Sequence, residues 1–400
     1  MKKSIILLII FLISQLIAAQ SRYEAMLRAV SLSAAGNIED AVSVLSDVTG
    51  ARSDADLLLL RGDIYLKAGQ IKEARSDYMA AENIRQGSGM YGLARCAAAD
   101  GDARAAVSYL EIHLKSQYRK SEPEIMLDSL FDSVSSSPEW RDLWKKDWYK
   151  GYERDDWEID HYIRTGRIDL AEEAWQDLSA MYPEMPVTEY CRARIMISKG
   201  QYRQAAELLA PLTVKADAPS RWLFALADAR AGEGNYYAAA TTYGKLIGNE
   251  YPDPQLFLRR AQMLIKAGDR ADARDDLKEY LDLDPDNSEA MGLIGRIFAE
   301  EGDIFEALPY LNRNIEKHPG EASAFSLRGD AWLAVHSWEK AAEDYTMSLD
   351  LDPENASVNL NLGIALINIG RTSDACHYLR KAKALGEKNA TEYLSKYCIK

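Results

Sequence analysis

The residues best suited to acid–base or metal chemistry are five histidines, His113, His161, His318, His336 and His377, and their spacing supports neither. None forms an H-E-x-x-H pair one helical turn apart, and none stands near a nucleophile elbow. Gly87-Ser88-Gly89-Met90-Tyr91-Gly92 matches the letters G-x-G-x-x-G. That motif works only when a strand aims helix amides at a pyrophosphate, whereas here it follows one helical stretch and opens another. It reads as a loop. Asp282, Asp284 and Asp286 have the spacing of the first calcium-loop ligands. Asn287 replaces the turn glycine, Leu293 the closing glutamate, and Pro285 lies inside, so a chain terminator explains them better. No catalytic residue, metal ligand or cofactor site is expected.

Three other groups could bind rather than react. Glu153, Asp156 and Asp160 fall at i, i+3 and i+7 and share one helix face. They read as a solvated acidic face or as a socket for a cation or basic peptide. Trp140, Trp144 and Trp148, at i, i+4 and i+8, make an indole stripe: core packing at an irregular segment, or an aromatic platform for a partner. Cys96 and Cys191 read as buried apolar residues, while Cys376 and Cys398 could meet if the chain end folds back.

What must position these residues is a repeat. Gly166, Gly200, Gly234, Gly268, Gly302 and Gly370 lie on a 34-residue grid, with His336 at the one point lacking glycine. Five residues after each mark stands alanine, from Ala171 to Ala375, and four further a large residue, from Trp175 to Leu379. Such phase over seven periods marks stacked supersecondary units. Each period holds two amphipathic stripes, such as Leu256, Leu258, Ala261, Leu264 and Ile265, then Ala273, Leu277, Tyr280 and Leu281. Glycine ends the first helix at least conformational cost, proline stops the second, and Asn287, Ser288 and Asn355 suit the next N-terminus. Upstream, Gly36, Gly69 and Gly101 continue the grid with slips. The fold class is all-α, an α-α superhelix of about eleven helical hairpins plus a C-terminal capping helix.

The period, small residues such as Gly295, Gly329 and Gly363, Trp332 and Tyr345, and the terminators Asp284-Pro285-Asp286-Asn287 and Asp352-Pro353-Glu354-Asn355 resemble the tetratricopeptide repeat. The resemblance is specific from about Tyr152 to Leu385. It departs at His336, and where the family's first-helix tryptophan would stand this chain has Met291, Ala324 and Val358. The resemblance implies a protein or peptide partner lying in a concave groove lined by first helices. Family groove positions fall on Tyr190, Arg194, Arg221, Phe224, Asp228, Leu258, Gln262, Lys266, Arg296, Glu300, Asp330, Leu360 and Asn368. Tyr190, Phe224 and Leu258 would be the apolar anchors. The lysine–asparagine clamp by which some members grip a chaperone's terminal carboxylate is not matched, since Tyr190, Arg194, Phe224 and Asp228 occupy those places.

In order, the chain reads as a signal peptide over 1–19, a three-repeat block over 21–118, a degenerate Trp-rich hairpin over 119–151, a seven-repeat block over 152–386 and a capping helix over 387–400. Lys2 and Lys3, the apolar run Ile5 to Ile13 and Ile17-Ala18-Ala19 have the order of an export signal, and the run is too short to span a bilayer. The segment 119–151 is expected to be the joint between blocks, formed by helices around Ile125–Val134 and Glu139–Lys150. The formal charge of −14, or −16 with Lys2 and Lys3 subtracted, opposes nucleic-acid binding. The expected function is a non-catalytic protein–protein interaction scaffold of the bacterial envelope, in the periplasm or at the cell surface. The alternatives are a structural subunit of an envelope assembly or secretion complex and, further off, a glycan-binding or enzymatic repeat protein.

Overall fold

A computed structural model describes residues 21–48, 54–215 and 218–398, and among them there are helices and connecting turns but no strand. The export signal lies outside the described residues. Two compact units emerge, one running to Leu256 and the other from Phe257.

The same local chemistry builds every hairpin. The grid glycines hold φ between 73° and 85°, the left-handed value that lets the next amides turn back onto the helix end. His336 adopts φ 61° and makes the same bonds: its N–H donates to the Leu333 carbonyl, and that of Ser337 to the Trp332 carbonyl. The turn thus survives loss of its glycine at the cost of backbone strain. The phased alanines, Ala171, Ala205, Ala239, Ala273, Ala307, Ala341 and Ala375, are fully buried, so helix backbones approach there. The large residue one turn later fills the hollow against a small residue of the partner helix. At Gly329 a Cβ would come within 2.8 Å of the Tyr345 ring. Asn287 and Asn355 cap the following helices through their side-chain oxygens, which accept from the Ala290 and Val358 N–H groups.

A second repeated device joins the two helices of a hairpin. Arg61–Asp77, Arg260–Asp276 and Arg328–Asp344 are two-pronged pairs with Nε–Oδ2 distances of 2.7, 2.7 and 2.8 Å, each carboxylate buried. Each spans 16 residues. The planar guanidinium matches both carboxylate oxygens and fixes the register between helices.

In the first unit the segment 119–151 departs from expectation. It forms a short helix Glu122–Met126, a 3-10 turn Ser129–Phe131 and a helix Pro138–Leu143, in place of two long helices. Phe131, Val134, Trp140, Leu143 and Tyr149 share one core with Leu110 and Leu114 of the preceding helix, and Trp157 of the following helix packs against it. The same unit curls back on itself. Arg22, on the helix over 21–34, pairs with Asp54, Asp56 and Glu250, and the Tyr23 hydroxyl donates to the Tyr251 carbonyl at 3.0 Å.

In the second unit hairpins follow in order to Thr372–Ala384, and the helix Ala390–Tyr397 packs back over the last pair. A disulfide joins Cys376 to Cys398, with Cα atoms 5.7 Å apart. Leu360, Leu379, Ala382 and Ala390 form the core beneath this cap.

Candidate partner-binding groove

Five of the expected groove residues converge. Tyr190 and Arg194 on the helix Pro186–Ser198, with Arg221, Phe224 and Asp228 on Ser220–Gly232, line one cavity of 370 Å³. Tyr190 is buried; its ring stacks on Trp222 at 5.7 Å and its hydroxyl accepts from Arg194 at 2.9 Å. Arg194 also donates to Asp160 at 3.0 Å. Arg221 lies over the Tyr190 ring, 4.7 Å from its centroid, and pairs with Asp156 at 2.7 Å. Burial opposes the charge of Arg221, but Asp156 outweighs it and holds its pKa above the ordinary value. Phe224 remains half-buried, edge-on to Tyr251 at 5.4 Å, and Asp228 is exposed.

In the second unit Arg296, Glu300 and Asp330 line a separate cavity of 350 Å³ with His336 and Asn361. Gln262 donates to Glu289, Glu300 accepts from Arg270, and Asn368 donates back to the Ile364 carbonyl. Lys266 is exposed. Asp330 accepts from the Tyr345 hydroxyl at 2.6 Å and from Asn361 at 3.1 Å. Burial raises its pKa, and the two donors only partly offset that. Because the folded state favours the protonated form, the stability it contributes falls as pH rises above the usual aspartate range. Asp330→Asn keeps an oxygen acceptor without the charge. It is expected to flatten the pH dependence of urea unfolding above the usual aspartate range and to match or exceed the parent at pH 7 by up to about 1 kcal/mol.

Several expectations need correction. The anchors Leu258 and Leu360 are buried, Leu360 under the cap, and Tyr190 lines the cavity as a buried wall stacked on Trp222 instead of an exposed anchor. The acidic face is neither solvated nor an open socket: Glu153 is held by Arg119, Asp156 by Arg221, and Asp160 by Arg164 and Arg194. The indole stripe does not form, since its helix ends at Leu143. Trp140 is buried against Phe131, Trp144 packs on the same core, and Trp148 donates its N–H to the Leu143 carbonyl. In the glycine loop the amides of Gly87 and Gly89 donate to the Glu82 carboxylate at 2.7 and 3.0 Å, occupying the donors a phosphate would need. Asp284 and Asp286 are engaged by Tyr280, Asn287, Arg313 and Lys317. Among the described residues no cluster of His, Cys, Asp and Glu is placed to hold a metal ion.

Sequence reasoning missed a larger cavity of 830 Å³ beside this groove, lined by residues from 119–127, 149–164, 185–187 and 221–222. The only signal for it was the loss of the repeat pattern in the aromatic-rich stretch preceding Tyr152.

Stacked helical hairpins with open, mixed-charge cavities define a helical-repeat scaffold for protein–protein interaction, a class that is typically non-catalytic. The tetratricopeptide repeat family profile matches residues 26–89, 258–322 and 326–390, and the chain is a tetratricopeptide repeat protein. Protein bimA of Emericella nidulans is 26% identical over 112 residues, covering 28% of this chain and 14% of that protein. BBSome complex member bbs-4 of Caenorhabditis elegans is 25% identical over 137 residues, covering 34% and 30%. The matched stretch thus spans less than a third of either relative. A chain of the crystallised APC/C hetero-tetramer Cut9–Hcn1 covers 92% of this chain and 82% of its own length, at 15% identity and a TM-score of 0.45.

Proposed function

We propose that this scaffold is exported to the bacterial envelope and holds an extended or helical segment of a protein partner in the groove at Arg194, Arg221, Phe224 and Asp228. The observation that carries the reading is the convergence of side chains from two successive first helices on one cavity. Phe224 offers apolar surface there, beside the polar side chains of Arg194, Arg221 and Asp228, which suits several weak contacts summed along a segment. Export is supported by the N-terminal sequence pattern and by the Cys376–Cys398 disulfide, which persists in an oxidising compartment. No helix among the described residues is long and apolar enough to cross a membrane.

The test is photo-crosslinking in cells from a probe residue placed at Asp228, in chains with and without Phe224→Ala. The expected result is a discrete crosslinked partner whose yield falls at least tenfold with Phe224→Ala, while thermal unfolding moves little. Arg194→Glu is a poorer probe, because it sets a carboxylate against Asp160. Unchanged crosslinking in the Phe224 variant would remove this groove as the site.

A further inference from the structure

The 830 Å³ cavity exists because the chain abandons its repeat just before it. In place of a full hairpin stands the short helix Glu122–Met126, and the face of Gly151–Arg164 beside it is left open. Its lining combines two properties. The first is cancelled charge. Arg119 grips Glu153 through both carboxylate oxygens at 2.8 and 2.9 Å, Lys120 pairs with Glu124 at 3.1 Å, and Arg164 pairs with Asp160 at 2.8 Å. Arg221 pairs with Asp156 at 2.7 Å. With each carboxylate matched to a cation, nothing is left over to select a phosphate, a metal ion or a charged side chain.

The second property is an apolar rim. Pro123, Leu127, Met185, Pro186 and Val187 line the cavity together with the partly buried rings of Tyr152, Trp157 and Trp222. Leu127 is 79% exposed, so its isobutyl group meets solvent in the free protein. Aromatic rings alone would suit a sugar. Exposed aliphatic groups do not, because a sugar's hydroxyls lose hydration against them without gaining partners.

We infer that this cavity is an anchor site for a large uncharged apolar side chain, aromatic or aliphatic, carried on a polypeptide partner. The inference rests on the groove reading above. Arg221 lines both cavities, so one segment can seat its anchor beside Leu127 and continue over Arg221 toward Phe224. The occupant's class is set by complementarity: net charge is cancelled and the exposed surface is hydrocarbon. Seating one such side chain against Leu127 removes apolar area from water equivalent to about a ten- to hundredfold gain in affinity.

The test uses a phage-displayed library of random dodecapeptides selected on the full mature chain, followed by fluorescence polarisation of the enriched peptides. Expected are sequences sharing one Trp, Phe, Leu or Met position, whose alanine replacement weakens binding about tenfold or more. Leu127→Glu should weaken the same peptides about ten- to a hundredfold. Leu127 is exposed, so folding should not change, and Met181→Glu, at another exposed apolar residue, serves as control and should leave affinity intact. Peptides that lose affinity with Phe224→Ala but not with Leu127→Glu would overturn the anchor and leave the groove standing. Failure to enrich any peptide would remove both readings. A glycan array retained by the parent and released by Leu127→Glu would replace the peptide with a sugar and overturn the inference.

Discussion

Lowering the pH from 7 to 4 is expected to cost the first unit about 3 kcal/mol through a single imidazole, that of His113. His113 is buried, its ring lies 5.1 Å from that of Tyr91, and its Nε2 accepts the Lys120 N–H at 2.8 Å. Burial first, and the nearby charge of Lys120 second, push its pKa down to about 4 from 6.5. The unfolded chain takes up the proton near pH 6.5 and the folded chain does not, so the imidazole's contribution is complete above about 6.5 and drains away as pH falls toward 4. Urea unfolding followed by circular dichroism across this range checks it. His113→Gln, which keeps an acceptor for Lys120, should remove most of the slope between pH 6.5 and 4. Equal slopes in parent and variant would exonerate His113. Because its bond anchors the start of the irregular segment, acid should loosen the walls of the large cavity before distant hairpins.

Arg328→Ala is expected to destabilise the second unit by about 3 kcal/mol, at the low end for breaking a buried pair because the guanidinium is partly exposed. The loss is larger than that of an ordinary surface ion pair because Asp344 stays behind, with only 7% of its side chain exposed, and its two bonds to Arg328, at 2.7 and 2.8 Å, are gone. Arg328 also donates to Asn312 at 2.9 Å, so a contact to the preceding repeat goes too. The double change Arg328→Met with Asp344→Leu removes both charges at similar volume and should recover most of the loss. Denaturant midpoints of parent, single and double variants decide the matter: a single variant within about 0.5 kcal/mol of the parent would show that the pair is not a structural requirement.

Much of the fold was legible because the repeat announces itself through backbone needs. A left-handed helix end calls for glycine and a close helix approach calls for alanine, and both recur at fixed intervals whatever the tertiary setting. His336 shows the limit, since three sides of a settled turn can force a strained φ on a residue the pattern would reject. The Arg–Asp pairs 16 apart were equally visible in the letters and went unread, although Arg61, Arg260 and Arg328 hold equivalent places in their repeats. The groove was only half legible. Tyr190, Phe224 and Asp228 line the cavity, but Leu258 and Leu360 are buried in the stack, and one helical position rotates a side chain by about 100°. Periodicity finds the helix face and cannot divide hairpin side from open side within it. Contacts between distant segments, such as Arg22 with Glu250, leave no mark on a local pattern.

That last contact puts a constraint on how this gene can change. Solenoids ordinarily grow or shrink by duplication of a period, because each unit answers only to its neighbours. Between Arg22 and Tyr251 this freedom is withdrawn. One extra hairpin would carry Glu250 and the Tyr251 carbonyl some 20 Å along the stack, about two helix spacings, and strand Arg22 and Tyr23 without their distant partners. Tandem insertions should therefore be tolerated after Leu256 and selected against before it.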